Sequence, residues 1–197
     1  MARVYPPERM KPLPDRASEG RANAKGIPCL YLSTRKETAM SEVRPWIGSR
    51  ISVGQFKLLR DSEIIDCSRR PSDYPFHDGE PEPEQREEVI WSCIDRAFAE
   101  PTTRNDDTGD YAATQIIAEL FKNGGFGGVA YKSNFGKDGY NIALFEIEAA
   151  ELINLQLHTV KAVSFKFSDE QRFIREYTDE ERNDPEFQEA RFIDGRC

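Results

Sequence analysis

Residues 124–145 read GGFGGVAYKSNFGKDGYNIALF, and this stretch predicts two neighbouring strands joined by a glycine-rich loop. GVAY (128–131) has the length and apolar character of a buried strand, and NIALFEI (141–147) is a second run of the same kind. The first strand ends at Tyr131 and delivers Ser133 into the loop. Loops at strand ends often carry function, so Ser133 is a candidate site residue.

Further strand patterns lie on both sides of this stretch. Alternating or β-branched apolar residues predict strands at IPCLYL (27–32), ISVGQFKLL (51–59), EIIDC (63–67), ELINLQL (151–157) and VKAVSFKF (160–167). In the last of these strands, we expect Val163, Phe165 and Phe167 to point inward.

Three segments between the strands have the apolar spacing of helices. In TRKETAMSEVR (34–44), Glu42 lies at the margin of the apolar face. EQREEVIWSCIDRAF (84–98) should bury Val89 or Ile90, Cys93, Ile94 and Ala97. YAATQIIAELFKNGG (111–125) should bury Ile116, Ile117, Leu120 and Phe121, with Gly124 as its C-cap. Helices lie between groups of strands rather than in strict βαβ alternation, which predicts a single α+β domain with mixed or antiparallel sheets and flanking helices.

The same patterns divide the chain into three parts. Residues 1–26 are rich in Pro, Gly and charge and are predicted to form an extended basic arm with an arginine loop. Residues 27–167 form the predicted folded domain, interrupted by polar loops at 71–84 and 100–110. Residues 168–197 are predicted to be an acidic polar tail.

Charge is unevenly distributed along the chain. The formal net charge is -8, but residues 1–36 carry +5 and residues 37–197 carry -13. We therefore expect no binding to nucleic acid, while a small anionic ligand would be favoured near the arm. No apolar run reaches the roughly 18 residues of a membrane span, and the first residues lack the apolar core of a signal peptide. We expect a soluble cytoplasmic protein.

Few residues are available for metal or triad chemistry. The four cysteines have no CxxC spacing, which disfavours a thiolate metal site or a disulfide framework. His77 lies in a predicted loop and His158 near the end of a predicted strand, in unrelated contexts. A Ser-His-Asp triad or a histidine metal site is therefore not expected, and no metal is predicted.

Three further residues are candidates for a site, although each also has a purely structural interpretation. Arg21 lies in SEGRANAKG (18–26), where glycines allow a close backbone approach and the guanidinium fork matches phosphate or carboxylate. Tyr31 should point away from its two leucine neighbours, either packing under a helix or lining a pocket. Glu42 is either an exposed helical acid or a carboxylate aimed into a cleft.

GRANAKGIPCLYLSTRKETAMSEVR (20–44), followed by GGVAYKSNFGKDGYNIALF (127–145), resembles the RES domain family. The resemblance runs from about residue 9 to about residue 167. Where many members read GGRWN, this chain reads EGRAN (19–23), so the aromatic residue of that motif is absent.

The resemblance implies a toxin-like enzyme that acts on NAD, with a fold similar to that of ADP-ribosylating toxins. Several members break the nicotinamide–ribose bond by phosphorolysis or hydrolysis, some transfer ADP-ribose to a protein, and many are paired with an antitoxin bearing an Xre-like helix-turn-helix. We therefore expect NAD as substrate, inorganic phosphate or water as acceptor, and depletion of NAD that arrests growth. The alternatives are a mono-ADP-ribosyltransferase that modifies a protein and a non-catalytic partner-binding module.

The family is named for Arg, Glu and Ser positions, which the match places at Arg21, Glu42 and Ser133, with Tyr31 at a fourth important position. Glu42 would bind the ribose and stabilise an oxocarbenium-like transition state. Arg21 would hold the pyrophosphate. Tyr31 and Ser133 would contact the nicotinamide ribose end. Two weaker candidates for contacting NAD are Asn23 and Asn141.

Overall fold

The computed structural model describes residues 4–68, 81–100, 111–135 and 139–165. The chain divides into two units, Met1–Val163 and Ser164–Cys197, and the fold described below is that of the first. Most of the two predicted polar loops, together with His77 and the predicted tail, lies outside the described residues.

The elements of the fold mix helices with strands. In chain order they are β1 Leu30–Ser33, α1 Lys36–Glu42, β2 Arg50–Leu58, β3 Ile64–Asp66, α2 Arg86–Ala99, α3 Ala112–Asn123, β4 Gly128–Lys132, β5 Tyr140–Leu144 and β6 Ala150–Thr159. Short 3₁₀ turns occur at Pro7–Arg9 and Ile147–Ala149. This composition confirms the predicted α+β class. Within the described ranges, no helix has the length and apolar character needed to cross a bilayer.

The strands form two sheets. The central sheet has the order β1-β5-β4-β3, in which β3 runs parallel to β4 and the other pairs are antiparallel. A separate ribbon pairs β2 with β6. The register of the central sheet places Ser33, Asn141 and Tyr131 side by side on β1, β5 and β4. Cross-strand partners project from the same face of a sheet, so these three side chains share one face.

Each face of the central sheet packs against a different layer. One face packs against α2 and α3 through Val129, Tyr131, Ala143, Phe98 and Ala118. The other face packs against the β2–β6 ribbon through Leu30, Leu144, Phe56 and Ala150. Leu32 joins the ribbon side, whereas Tyr31 pairs with Ala143 of the helix side. The predicted orientation of Tyr31, away from its leucine neighbours, is therefore confirmed.

The predicted strand at 160–167 is wrong over its described part, since residues 160–165 form no strand. Strand β6 instead runs on to Thr159, where it faces Arg50, the first residue of β2. Val160 still donates to the Ser49 carbonyl and accepts from the Gly48 N–H, both at 2.9 Å, and residues 161–165 then form no strand. Phe165, which was expected to point inward, is 71% exposed.

The predicted core face of α3 is only half right. Ile117 and Phe121 pack against the core, but Ile116 and Leu120 are 63% and 64% exposed. The remaining buried positions are Thr114 and Ala118. The buried positions follow the three- and four-residue spacing of one helical face, and their small side chains let the helix approach the sheet. Apolar character alone therefore misassigned the face.

The predicted core face of α2 needs a similar correction. Ile94 packs against the core, but Ile90 and Cys93 are exposed. The buried residues of this helix are Ser92, Asp95 and Phe98. Two of these three residues are polar, so the spacing of apolar residues does not indicate the buried face.

Asp95 is a fully buried carboxylate whose oxygens accept no hydrogen bond from the described residues, and Lys132 Nζ lies 4.0 Å from its Oδ2. Burial raises the pKa of Asp95, Lys132 opposes this, and Asp66 adds to it. The native state therefore releases the Asp95 proton at a higher pH than the unfolded chain, in which an aspartate titrates near pH 4. Stability should fall as pH rises from about 4 through the raised native pKa.

Asp95→Asn removes this titration and should stabilise the protein at pH 7, raising Tm by about 3 °C, the equivalent of about 1 kcal/mol in a domain of this size. The gain should shrink as pH is lowered towards 4, which urea unfolding at several pH values will measure. Asp61→Asn, at an exposed acid, is the control and should change little. A wild type as stable as Asp95→Asn at pH 7 would contradict the prediction.

Candidate active site

Glu42 is the last residue of α1, which packs against β1 and β5. Its Oε1 atom accepts two hydrogen bonds, from Ser133 Oγ at 2.7 Å and from Asn141 Nδ2 at 2.5 Å. Its Oε2 atom accepts none from the described residues and is not among the buried unpartnered atoms. The carboxylate is therefore held through one oxygen while the other is open to solvent.

Asn141 fixes the orientation of this carboxylate. It lies in β5, only 7% exposed, and its Oδ1 accepts a hydrogen bond of 2.6 Å from Ser33 Oγ. This bond leaves the amide nitrogen facing Glu42. A carboxylate that accepts charge-assisted bonds from a fixed amide and a hydroxyl is well oriented to act on a ligand.

Ser133 follows β4 and begins the glycine-rich loop. Its Oγ accepts from the backbone N–H of Phe135 at 3.0 Å while donating to Glu42. The backbone N–H of Ser133 donates to the Gly139 carbonyl at 3.0 Å, which closes the loop at its other end. The predicted site residues Glu42, Ser133 and Asn141, up to 99 residues apart in sequence, are thus in direct contact.

Asn23 and Tyr31 form a second cluster in the arginine loop. The Tyr31 hydroxyl donates to Asn23 Oδ1 at 2.7 Å and accepts from the Ala22 N–H at 2.9 Å. The Asn23 amide nitrogen donates to three backbone carbonyls, of Ser18, Ala24 and Ile27. All polar atoms of this buried amide are used within the protein, so the structure gives Asn23 a positioning role in the loop. Direct contact of Asn23 with NAD stays a prediction.

Gly20 is required by the same cluster. A Cβ atom at this position would lie 2.6 Å from the Tyr31 hydroxyl, closer than real contacts allow. The backbone carbonyls of Gly20 and Asn23 both accept from Gln115 Nε2 of α3 at 3.0 Å. The loop before and after Arg21 is thereby tied to a helix, a support that the sequence analysis missed because the contact spans more than 90 residues.

Arg21 lies at the carboxyl end of α2. Its guanidinium donates to the Ala97 carbonyl at 3.0 Å and to the Glu100 carbonyl, and it stands 6.0 Å from the centroid of the Tyr111 ring. The last carbonyls of a helix lack partners within the helix, and a cation there is favourable. Two of the five guanidinium N–H groups are used in this way, which leaves donors for an anionic ligand.

Tyr31→Phe should loosen this loop. The change keeps the ring but leaves Asn23 Oδ1 and the Ala22 N–H without partners, which should destabilise the protein by about 1–3 kcal/mol. Amide hydrogen exchange at Ala22 and the urea midpoint will measure the effect. Tyr5→Phe, at an exposed tyrosine without a hydroxyl bond in the described structure, is the matched control. Unchanged exchange at Ala22 in Tyr31→Phe would contradict the prediction.

Tyr131 lies near both Glu42 and Arg21. It was not identified from the sequence as a site residue. Its side chain is 6% exposed and packs on the Phe98 ring, with centroids 5.5 Å apart. Burial raises the pKa of Tyr131, the Glu42 carboxylate adds to this, and the Arg21 guanidinium opposes it. Both charges therefore act on this phenol. The signal that could have revealed Tyr131 is the two-residue alternation along β4 and β5. Together with the pairing of these strands, it places Tyr131 on the same face of the sheet as Asn141.

Two cysteines of this region, Cys29 and Cys67, are buried. Burial raises the pKa of Cys29 and of Cys67 to about 12, so both are protonated near neutral pH. Within residues 4–68, 81–100, 111–135 and 139–165, no group of three or more His, Cys, Asp or Glu side chains could hold a metal ion.

The fold and these clusters define an α+β domain with an oriented carboxylate, a serine and an arginine loop around one sheet face. Comparison with protein-family models matches the RES domain to residues 2–168. Because the match covers most of the chain, the protein belongs to the RES domain family, and this membership is consistent with a toxin-like, NAD-related function. No curated protein and no solved structure matches the chain.

Proposed function

We propose that the protein cleaves the nicotinamide–ribose bond of NAD, with phosphate or water as the acceptor. The observation that supports this proposal most directly is the geometry of Glu42, whose carboxylate is held by Ser133 and Asn141 through one oxygen while the other faces solvent. Family membership makes NAD the substrate to consider first.

The reaction suits a site of this kind. The ring nitrogen of NAD is already cationic, so nicotinamide leaves with the bonding electron pair as a neutral molecule and needs no strong acid. Positive charge then develops on the ribose, and a fixed carboxylate stabilises it. An oxygen of phosphate or water forms the new bond to the ribose carbon, and a water acceptor releases one proton. The open oxygen of Glu42 would face this developing charge.

The other site residues would hold the rest of the substrate. Arg21 has guanidinium donors beyond those bound to α2, which suits a pyrophosphate. Ser133 would bind the nicotinamide ribose next to Glu42. Tyr31, a residue that is 40% exposed although its hydroxyl is bonded to Asn23, would contact the nicotinamide end with its ring.

The test is incubation of the purified protein with NAD, with and without inorganic phosphate, followed by chromatography of the products. Phosphorolysis yields nicotinamide and a phosphorylated ADP-ribose only when phosphate is present, whereas hydrolysis yields free ADP-ribose in either condition. Label from NAD that appears on protein instead would favour an ADP-ribosyltransferase. Absence of any nicotinamide release at high enzyme concentration would reject the proposal.

We propose further that the activity acts in the cytoplasm, depletes NAD and arrests growth, and that an antitoxin with an Xre-like helix-turn-helix controls it. An enzyme that consumes a cofactor needed by all metabolism must be restrained in its own host. Expression of the protein alone should lower cellular NAD and stop growth, whereas expression of a variant without turnover should do neither. Growth arrest by such a variant would favour a partner-binding role.

A further inference from the structure

Tyr131 has one polar atom that the protein leaves unused. Its hydroxyl makes no hydrogen bond within the described part of the chain. The buried polar atoms without a partner in that part are two oxygens of Asp95 and one nitrogen of His158. The Tyr131 hydroxyl is not among them, so this atom reaches the surface although the residue is only 6% exposed. A buried ring thus presents its hydroxyl to solvent.

Tyr131 lies beside residues that position Glu42 and beside residues that position Arg21. Asn141, the cross-strand partner of Tyr131, donates to Glu42. Phe98, on which the Tyr131 ring packs, adjoins Ala97, whose carbonyl accepts from Arg21. Tyr131 therefore stands beside the supports of both the carboxylate and the guanidinium.

Packing alone does not explain a tyrosine at this place. A phenylalanine would fill the same space against Phe98, and the hydroxyl of Tyr131 gains no hydrogen bond within the described part of the protein. Buried tyrosines usually find a hydrogen-bond partner for the hydroxyl. A hydroxyl that the described protein leaves without a partner, on a residue beside Glu42 and Arg21, is available to donate to a ligand.

We propose that Tyr131 is a further substrate-contacting residue, whose hydroxyl donates a hydrogen bond to an oxygen in the part of NAD that joins the nicotinamide ribose to the pyrophosphate. The inference rests on the proposed function, because Glu42 is there assigned to the ribose and Arg21 to the pyrophosphate. The hydroxyl is a dependable donor, since burial and the Glu42 carboxylate raise the pKa of Tyr131 and keep it protonated.

Tyr131→Phe tests this contact by removing one oxygen atom. We expect KM for NAD to rise about tenfold while kcat changes by less than about threefold, as for a lost hydrogen bond to a polar or charged acceptor. The thermal midpoint should not fall, because the ring packing is retained. Tyr140→Phe makes the same chemical change on the neighbouring strand, one residue from Asn141 and on the opposite face, and should alter neither constant.

Binding of ADP-ribose, which contains the ribose and the pyrophosphate, separates this inference from the proposed function. If the wild type binds ADP-ribose but does not cleave NAD, the proposed function fails, and about tenfold weaker binding by Tyr131→Phe still supports the contact. If the wild type cleaves NAD and Tyr131→Phe has an unchanged KM and an unchanged affinity for ADP-ribose, the contact is rejected and the proposed function stands. A wild type that neither binds ADP-ribose nor cleaves NAD rejects both.

Discussion

Glu42→Gln should lower kcat for NAD cleavage by at least about 100-fold, the loss expected when a group that stabilises charge in the transition state is removed. Glutamine retains an oxygen that can accept from Ser133 and Asn141, so the local structure should survive. What disappears is the negative charge beside the ribose. Nicotinamide release under saturating NAD measures the effect, and the thermal midpoint reports on folding.

Glu37→Gln is the matched control for this prediction. Glu37 lies in the first turn of the same helix, on the exposed surface, and its Oε1 lies 3.9 Å from Lys36 Nζ. Such surface pairs contribute little to stability. The control should therefore retain both activity and stability. Full activity in Glu42→Gln would remove the main support of the proposed reaction.

Gly139→Ala should disturb both stability and the site. A Cβ atom at Gly139 would collide with Oγ1 of Thr38 and lie 2.9 Å from its Cβ and Cγ2. Thr38 is 2% exposed in α1, so it has no space into which to move. Overpacking of this kind costs about 1–3 kcal/mol, which corresponds to a Tm decrease of about 3–10 °C here. Relief of the clash by a shift of α1 would carry Glu42 away from Ser133 and lower activity.

A double-mutant cycle separates this clash from a general effect of the substitution. Thr38→Ala removes the colliding oxygen and one methyl group, so Gly139→Ala should cost less in the Thr38→Ala background than in the wild type. Urea unfolding of the four proteins gives the coupling free energy. An equal cost of Gly139→Ala in both backgrounds would show that Thr38 is not the reason for the glycine.

Local patterns were sufficient for most of the elements. The helix that ends at Glu42 and the alternation around Tyr31 depend on neighbours within a few residues, and the periodicity of the side chains reports them directly. The predicted face of α3 failed because burial depends on which side of a helix meets the sheet. The side of α3 that meets the sheet carries small residues such as Ala118, whereas the more apolar Leu120 lies on the exposed side.

The sequence alone determined the α+β class, most of the elements and the residue types that match the RES pattern. The tertiary structure decided which of those residues are in contact with one another. The contact of Glu42 with Ser133 depends on the packing of α1 against β5, and the place of Tyr131 depends on the register between β4 and β5. The contact of Glu42 with Ser133 joins residues 91 apart, and no local periodicity encodes which strand edge or helix face will be the partner.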